Sequence, residues 1–184
     1  MIRITGGTAK GRKLKGPKGY EFRPTTGVVK EFIFSIISQE VKGAVFLDLF
    51  SGAGSFGIDA ISRGAEKVVF VEKSFASLKI LRHNLELCSF LGKAEIIRGD
   101  VFKIIKLQGS SDIKYEFIFA DPPFKGMFRE KIVKAVGSTD ILKHDGLLII
   151  EHERHDRDSM EHSMILQRQK QFGASVISIY RKEV

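Results

Sequence analysis

The sequence predicts an α/β fold: a mostly parallel seven-stranded sheet with helices on both faces and an antiparallel hairpin at its end. Five short apolar segments after Gly43 alternate with helical segments, which is typical of parallel strands that are buried on both sides. Two further strand segments flank Gly173 and predict the closing hairpin. Residues 1–26 are rich in glycine, so we expect short extended pieces and turns docked on the main domain.

Local patterns give the predicted bounds of each element. A helix over 27–41 follows from apolar residues at helical spacing behind Thr25 or Thr26, either of which can cap it. Continuous apolar runs predict the five parallel strands, at 44–50, 67–72, 94–100, 115–121 and 146–151. Three helices are predicted between them, at 55–65, 74–88 and 127–136. The hairpin strands are predicted at 164–170 and 174–180.

The composition is that of one globular domain. The chain has 184 residues, of which 43% are hydrophobic and 28% are charged. No apolar run is long enough to span a bilayer, and the N-terminus lacks the apolar core of a secretory signal. The single cysteine, Cys88, excludes an intrachain disulfide and a zinc cluster built from cysteines. We therefore predict a cytoplasmic protein without a membrane partner or a metal site. We expect a monomer, although the composition does not decide the oligomeric state.

The positive charge is concentrated near the N-terminus. The net charge of the chain is +8, and residues 1–30 carry eight Lys or Arg against a single Glu. Such an excess favours a polyanionic partner, and phosphate polymers are the commonest polyanions. A solubilising basic tail is the alternative interpretation.

A glycine-rich loop follows the first strand of the main domain. Gly52, Gly54 and Gly57 match the pattern G-x-G-x-x-G between a strand and a helix, and Glu72 lies at the end of the next strand. This context is typical of a nucleotide-type cofactor whose ribose hydroxyls donate to the acidic residue. The alternative is a glycine turn needed for close packing of the helix on the strand.

Acidic residues at the strand ends favour S-adenosylmethionine over NAD as that cofactor. Asp48, inside the first strand end, would repel a pyrophosphate but could hold the ammonium of the methionine moiety, directly or through water. Asp100 could accept a hydrogen bond from the adenine amino group, and an ordinary turn residue is the equal alternative.

The segment Asp121-Pro122-Pro123-Phe124 ends the fourth strand. Two prolines stop the strand and leave the carbonyl of Pro122 without a ladder partner. A carboxylate beside a free carbonyl makes a clamp of two acceptors, which matches the two N–H donors of an exocyclic amine on a base. Phe124 then offers a face for the base to stack on. A strand stop with an aromatic that merely packs is the alternative.

Together these motifs resemble the bacterial small-subunit rRNA guanine-N2 methyltransferases, the RsmD-like family of class I S-adenosylmethionine-dependent enzymes. The matching segments are RITGGTAKGRKLKGP, RPTT, FLDLFSGAGSFGIDAISRGA, FVEKS, RGD and ADPPF, from residue 2 to about 151. The N-terminal combination is the more specific part, since ADPPF would also fit DNA adenine-N6 or protein glutamine-N5 enzymes. The sequence departs from the family after RPTT, where Gly27-Val28-Val29 replaces an acidic residue and an arginine.

The resemblance implies a Rossmann-like class I methyltransferase domain over 27–184 and a basic RNA-binding extension over 1–26. It implies methyl transfer from S-adenosylmethionine to the exocyclic N2 of a guanine in 16S rRNA, with rRNA or the small ribosomal subunit as partner. The implied cofactor-binding residues are Asp48, Ser51, Gly52, Gly54, Glu72, Asp100 and Val101. The implied catalytic residues are Asp121, Pro122 and Phe124. The implied RNA contacts are Lys10, Arg12, Lys13, Arg23, Thr25 and Thr26.

Three other functions compete with this interpretation. A DNA adenine-N6 methyltransferase would share the chemistry, but this chain has no large target-recognition region. A non-catalytic RNA-binding or ribosome-assembly protein would explain the basic extension, but not the acidic residues at four strand ends. An NAD-dependent oxidoreductase would need a separate substrate domain, which the sequence does not provide.

Overall fold

The computed structural model describes residues 2–16, 25–123, 128–154 and 164–182. Within these ranges the chain forms nine β-strands, five α-helices and a short 3-10 helix, Leu91–Lys93. The strands are β1 (Ile2–Arg3), β2 (Lys13–Leu14), β3 (Val45–Leu49), β4 (Lys67–Glu72), β5 (Ala94–Arg98), β6 (Tyr115–Ala120), β7 (Leu142–Glu153), β8 (Met164–Phe172) and β9 (Ser175–Lys182). The helices are α1 (Gly27–Ile36), α2 (Ser55–Ser62), α3 (Phe75–Leu87), α4 (Val101–Gly109) and α5 (Phe128–Gly137).

The predicted fold class is confirmed. Strands β3 to β9 form one seven-stranded sheet in the order β5-β4-β3-β6-β7-β9-β8. The pairs from β5 to β7 are parallel, and β9 lies antiparallel to both β7 and β8. Strand order reverses between β3 and β6, where Leu49 pairs with Ala120 at the carboxyl ends. In open parallel sheets such a reversal is where ligands bind.

Helices cover both faces of the sheet. Neighbouring residues of a strand point to opposite sides, so the apolar strands present side chains to both faces, and each face is buried by helices. Phe46, on one face, belongs to a buried cluster that includes α1, α2 and α3. Leu47, on the other face, belongs to a second cluster that includes α4 and α5. Within the first cluster Phe56 of α2 stacks on Phe34 of α1, with ring centroids 5.0 Å apart. These contacts fix α1 and α2 over the sheet beside the strand ends.

The N-terminal segment is docked through a buried ion-pair network. Asp59 of α2 is fully buried and pairs with Lys30 of α1 and with Arg63, each at 2.9 Å. The backbone N–H and the hydroxyl of Thr5 donate to the same carboxylate at 2.7 and 3.0 Å. Lys30 also donates to the carbonyl of Arg3 at 2.7 Å. One carboxylate therefore ties the N-terminal segment, α1 and α2 together.

Apolar residues of the same segment complete this docking. Ile2, Ile4 and Leu14 are buried in the cluster that contains α1, α2 and α3. Strands β1 and β2 pair antiparallel and hold these side chains against the domain. The segment is therefore part of one core, as expected of an appendage too small to fold alone, and the domain division at residue 26 stays a prediction.

Several elements differ from the sequence-based bounds. Helix α2 ends at Ser62 instead of residue 65, and β7 covers Leu142–Glu153 instead of 146–151. Helix α4 was not predicted, and its N-cap is Asp100, whose side chain accepts from the N–H groups of Phe102 and Lys103. The sequence predicts a ligand or a turn residue at this position, and in the structure Asp100 caps a nine-residue helix. Helix α1 ends at Ile36 instead of residue 41.

The described residues were compared with the expectations about membrane spans and metal sites. None of their helices is long and apolar enough to cross a bilayer. No group of three or more His, Cys, Asp or Glu among them is arranged to hold a metal ion.

We predict that Asp59→Asn lowers the free energy of unfolding by about 3–5 kcal/mol, because it leaves the buried ammonium of Lys30 without its counterion. Urea denaturation of the purified protein measures this change. The control is Glu95→Gln, which breaks a half-exposed pair with Lys67 and should cost less than about 1 kcal/mol. Equal effects of the two variants would contradict the assignment of Asp59 as the anchor.

Candidate active site

A cavity of about 480 Å³ lies at the carboxyl ends of β3, β4, β5 and β6. Nine residues singled out from the sequence line it: Thr25, Asp48, Ser51, Gly52, Glu72, Asp100, Val101, Asp121 and Pro122. The structure thus brings six of the seven predicted cofactor residues and the Asp121-Pro122 corner to one site. The seventh, Gly54, is not among the residues that line the cavity. Arg23 and Phe124, which were also predicted, lie outside the described residues.

The glycine loop is shaped by close packing at two positions. Gly54 has a φ of 81°, and a Cβ there would lie 2.3 Å from Leu81 Cδ1. A Cβ at Gly57 would lie 2.3 Å from the ring of Phe70 and 2.9 Å from Asp48 Oδ2. Both glycines therefore let α2 begin directly against the sheet, so the packing interpretation and a ligand-binding loop are compatible.

The carboxylate of Glu72 is fixed at the second strand end. Gly52 N–H donates to its Oε2 at 2.9 Å, and Ser74 N–H donates to its Oε1 at 2.7 Å. A carboxylate oxygen has more than one lone pair, so each can accept a further hydrogen bond from a ligand hydroxyl. The side chain is half-buried and lines the cavity.

Asp48 is the most strongly perturbed acid of the site. Its side chain is buried and accepts from Gly57 N–H at 3.0 Å. The pKa of Asp48 is raised to about 8, chiefly because the carboxyl is buried. The hydrogen bond from Gly57 opposes this rise, and the charge of Glu72 adds to it. A cationic group bound beside Asp48 would favour its ionised form. The site is therefore suited to a ligand that carries a positive charge at this point.

Ser55 is a site residue that the sequence analysis missed. It is the first residue of α2, is 7% exposed and lines the cavity. In the part of the chain that the structure describes, its Oγ has no hydrogen-bond partner. The N-terminus of a helix favours an anion, so the hydroxyl and the helix end together suit a carboxylate. Its position within the glycine loop, between Gly54 and Gly57, was the signal in the sequence.

Three phenylalanines form an aromatic wall on the α4–α5 side of the cavity. Phe128 lies 5.7 Å from Phe50 and 6.3 Å from Phe102 between ring centroids. Phe50 has a φ of 57°, a left-handed conformation that is costly for a bulky residue. No pattern in the sequence distinguishes these three from the other phenylalanines, of which the chain has fifteen in all.

The Asp121-Pro122 corner begins where the sheet ends. The ladder pairing of β6 stops at Ala120 on both sides, opposite Leu49 of β3 and Ile150 of β7. Asp121 is half-buried and Pro122 is buried. Thr25 Oγ1 donates to Asp121 Oδ2 at 3.1 Å. A residue predicted to contact RNA therefore contacts the acid of the corner.

The remaining predicted RNA residues lie along the N-terminal segment. Lys10, Arg12 and Lys13 are exposed, and Arg12 donates to the carbonyl of Leu87 at the last residue of α3. Thr26 is exposed and caps α1 by accepting from the N–H of Val29, three residues further on. Contact of these side chains with RNA stays a prediction.

Known proteins resemble this chain over nearly its whole length. A family described as "Conserved hypothetical protein 95" matches residues 2–181. The chain is 31% identical over 182 residues to "Putative rRNA methyltransferase YlbH" of Bacillus subtilis, covering 98% of this chain and 99% of the relative. It is 30% identical over 182 residues to "Ribosomal RNA small subunit methyltransferase D" of Haemophilus influenzae, covering 98% and 93%.

A solved structure agrees in fold and in extent. "Putative methyltransferase yhhF" from Escherichia coli has a TM-score of 0.84 at 28% identity, covering 100% of this chain and 98% of that one. The chain therefore belongs to the conserved hypothetical protein 95 family, the family of the RsmD-like methyltransferases that its motifs resemble.

Proposed function

We propose that this protein transfers a methyl group from S-adenosylmethionine to the exocyclic N2 of a guanine in 16S rRNA. The observation that carries the proposal is the single cavity into which four adjacent strand ends bring Asp48, Glu72, Asp100 and the Asp121-Pro122 corner. Relatives named ribosomal RNA small subunit methyltransferase D support the substrate class. The competing DNA and NAD functions have no comparable support.

The residues of the cavity fit the polar groups of S-adenosylmethionine. Asp48 suits the ammonium of the methionine moiety, and the orphaned Ser55 hydroxyl at the start of α2 suits its carboxylate. Glu72 is held with lone pairs to spare for the ribose hydroxyls. When bound, this cofactor supplies an electrophilic methyl group on a sulfonium.

The other end of the cofactor would meet α4 and the aromatic wall. Only Oδ1 of Asp100 takes part in capping α4, so Oδ2 is left to accept from the adenine amino group. Phe102 follows two residues later and lines the same side of the cavity. The helix cap and the ligand role of Asp100 are therefore compatible.

The target amine would be held by the Asp121-Pro122 corner. Asp121 and the carbonyl of Pro122 can each accept one N–H of the exocyclic amine. Accepting both hydrogens favours a tetrahedral nitrogen, whose lone pair would form the new N–C bond as the bond between the methyl group and the sulfonium breaks. S-adenosylhomocysteine would leave as a neutral thioether, and the proton lost by the nitrogen would pass to the Asp121 carboxylate. The corner also fixes the direction of the lone pair, and such orientation lowers the barrier to transfer.

The exposed lysines and arginines of the N-terminal segment would contact the phosphates of the rRNA. A paired guanine cannot reach a cavity of this kind, so the target base has to be unpaired or flipped out. The partner is then rRNA or the small ribosomal subunit. We keep cytoplasmic localisation and a monomeric state as predictions.

Asp121→Ala should lower the single-turnover rate of methyl transfer by about 100- to 1,000-fold, because one of the two acceptors for the amine is lost. Affinity for S-adenosylmethionine should stay as in the unchanged protein. Labelled cofactor with 16S rRNA measures the rate, and calorimetry measures the affinity. The control is Asp112→Ala, an exposed acid in the loop before β6, which should leave both unchanged. Full activity of Asp121→Ala would contradict the clamp.

Cofactor affinity should rise with pH up to about 8. Below that pH Asp48 is largely protonated in the free protein, and binding of a cation requires release of its proton. Linkage then gives a dependence that approaches about tenfold in affinity per pH unit. Calorimetry between pH 6 and 9 measures the slope. Asp48→Asn should flatten the dependence of affinity on pH. The amine of the cofactor titrates in the same way with either protein, so only the difference between the two slopes reports on Asp48. Identical slopes would contradict the role of Asp48.

RNA affinity should depend less on salt after neutralisation of Lys10 and Lys13. The double variant Lys10→Ala/Lys13→Ala should lower the slope of log affinity against log salt by about one per lysine lost. Substitution is preferred to truncation, because the segment contributes buried core residues. The control, Lys106→Ala/Lys134→Ala on α4 and α5, should keep the slope. An unchanged slope for the N-terminal pair would exclude it as an RNA contact.

A further inference from the structure

We propose that Thr25 is a positioning residue for methyl transfer, which sets the orientation of the Asp121 carboxylate instead of contacting RNA. The proposal rests on the proposed function, because it takes Asp121 as an acceptor for the target amine. Its basis is a hydrogen bond between residues 96 positions apart in the chain.

The hydroxyl of Thr25 is already engaged at the corner. Thr25 Oγ1 donates to Asp121 Oδ2 at 3.1 Å, and both residues line the cavity. Thr25 is 6% exposed, so little of it is accessible to a polynucleotide. A hydroxyl has one proton to donate, and this one is directed at the carboxylate. These observations favour a role within the site over a role at its surface.

Asp121 needs a partner of this kind more than Pro122 does. The carbonyl of Pro122 is backbone in a proline pair, where ring closure restricts the dihedral angles. The terminal torsion of an aspartate side chain is broad and roughly two-fold, so its carboxylate turns freely unless something holds it. Because Thr25 engages Oδ2, this hydrogen bond restrains the plane of the carboxylate that meets the amine. Both acceptors of the clamp are then fixed.

Thr25 is itself held by its surroundings. The next residue, Thr26, caps α1, with its Oγ1 accepting from Val29 N–H at 3.3 Å. Helix α1 is in turn anchored to α2 by the buried pair of Lys30 and Asp59. A bond from Thr25 therefore ties Asp121 to the rigid frame of α1 and α2, so the carboxylate is pre-oriented before substrate arrives.

The direct test is Thr25→Val, which removes the hydroxyl and nearly preserves the volume. The single-turnover rate at saturating rRNA should fall about 10- to 100-fold, the effect of losing one positioning contact. Affinities for S-adenosylmethionine and for rRNA, and the thermal midpoint, should stay unchanged. Thr25→Ser should restore most of the rate, because it returns the donor. Thr25→Ala removes the hydroxyl a second way if valine disturbs the packing.

The matched control is Thr139→Val, the same change at a half-buried threonine just beyond the end of α5. The hydroxyl of Thr139 donates to the carbonyls of Ala135 and Val136. It should leave the transfer rate unchanged. A loss of rRNA affinity in Thr25→Val, with an unchanged rate at saturation, would overturn the proposal in favour of an RNA contact.

A double-mutant cycle separates this proposal from the proposed function. If Thr25 acts through Asp121, then Thr25→Val/Asp121→Ala should be no slower than Asp121→Ala alone. Additive losses would overturn the positioning role while leaving the clamp and the proposed function intact. Full activity of Asp121→Ala would instead show that the proposed function had failed, whatever the effect of the Thr25 variants.

Discussion

The parallel pairing of β3 with β6 is the constraint on which the rest of the structure depends. It places Leu49 beside Ala120, so the chain that leaves β3 and the chain that leaves β6 emerge side by side. The first becomes the glycine loop and α2, and the second becomes the Asp121-Pro122 corner. A cofactor site and an acceptor for an amine are neighbours because two backbone ladders end at the same level.

Buried charge organises the region around this pairing. Asp59 and Lys30 lie in the core and join the N-terminal segment to the frame of α1 and α2, from which Thr25 reaches Asp121. Asp48 is different, because burial raises the pKa of its carboxyl to about 8 and no cation in the described residues is paired with it. A buried carboxyl of that kind is costly to ionise in the free protein, and it is suited to bind a cationic ligand.

Local signals in the sequence were enough for the fold and for most of the cavity lining. The strands were found because parallel strands buried on both faces read as apolar runs, and the glycine loop because its spacing lies between a strand and a helix. Helix α4 was missed, since its cap, Asp100, was weighed as a ligand or a turn residue. The bond from Thr25 to Asp121 depends on tertiary packing, so no sequence pattern shows it. Ser55 lies within the glycine-loop pattern, but only the folded structure shows that its hydroxyl lacks a partner among the described residues.

The central claim is that one cavity holds the methyl donor with its reactive end toward the Asp121-Pro122 corner. A crystal structure with S-adenosylhomocysteine and a short guanine-containing RNA tests it most directly. We expect the sulfur to face that corner, the ammonium to lie beside Asp48, and the guanine amine to lie between Asp121 and the carbonyl of Pro122. A ligand bound outside the cavity, or a sulfur turned away from the corner, would contradict it.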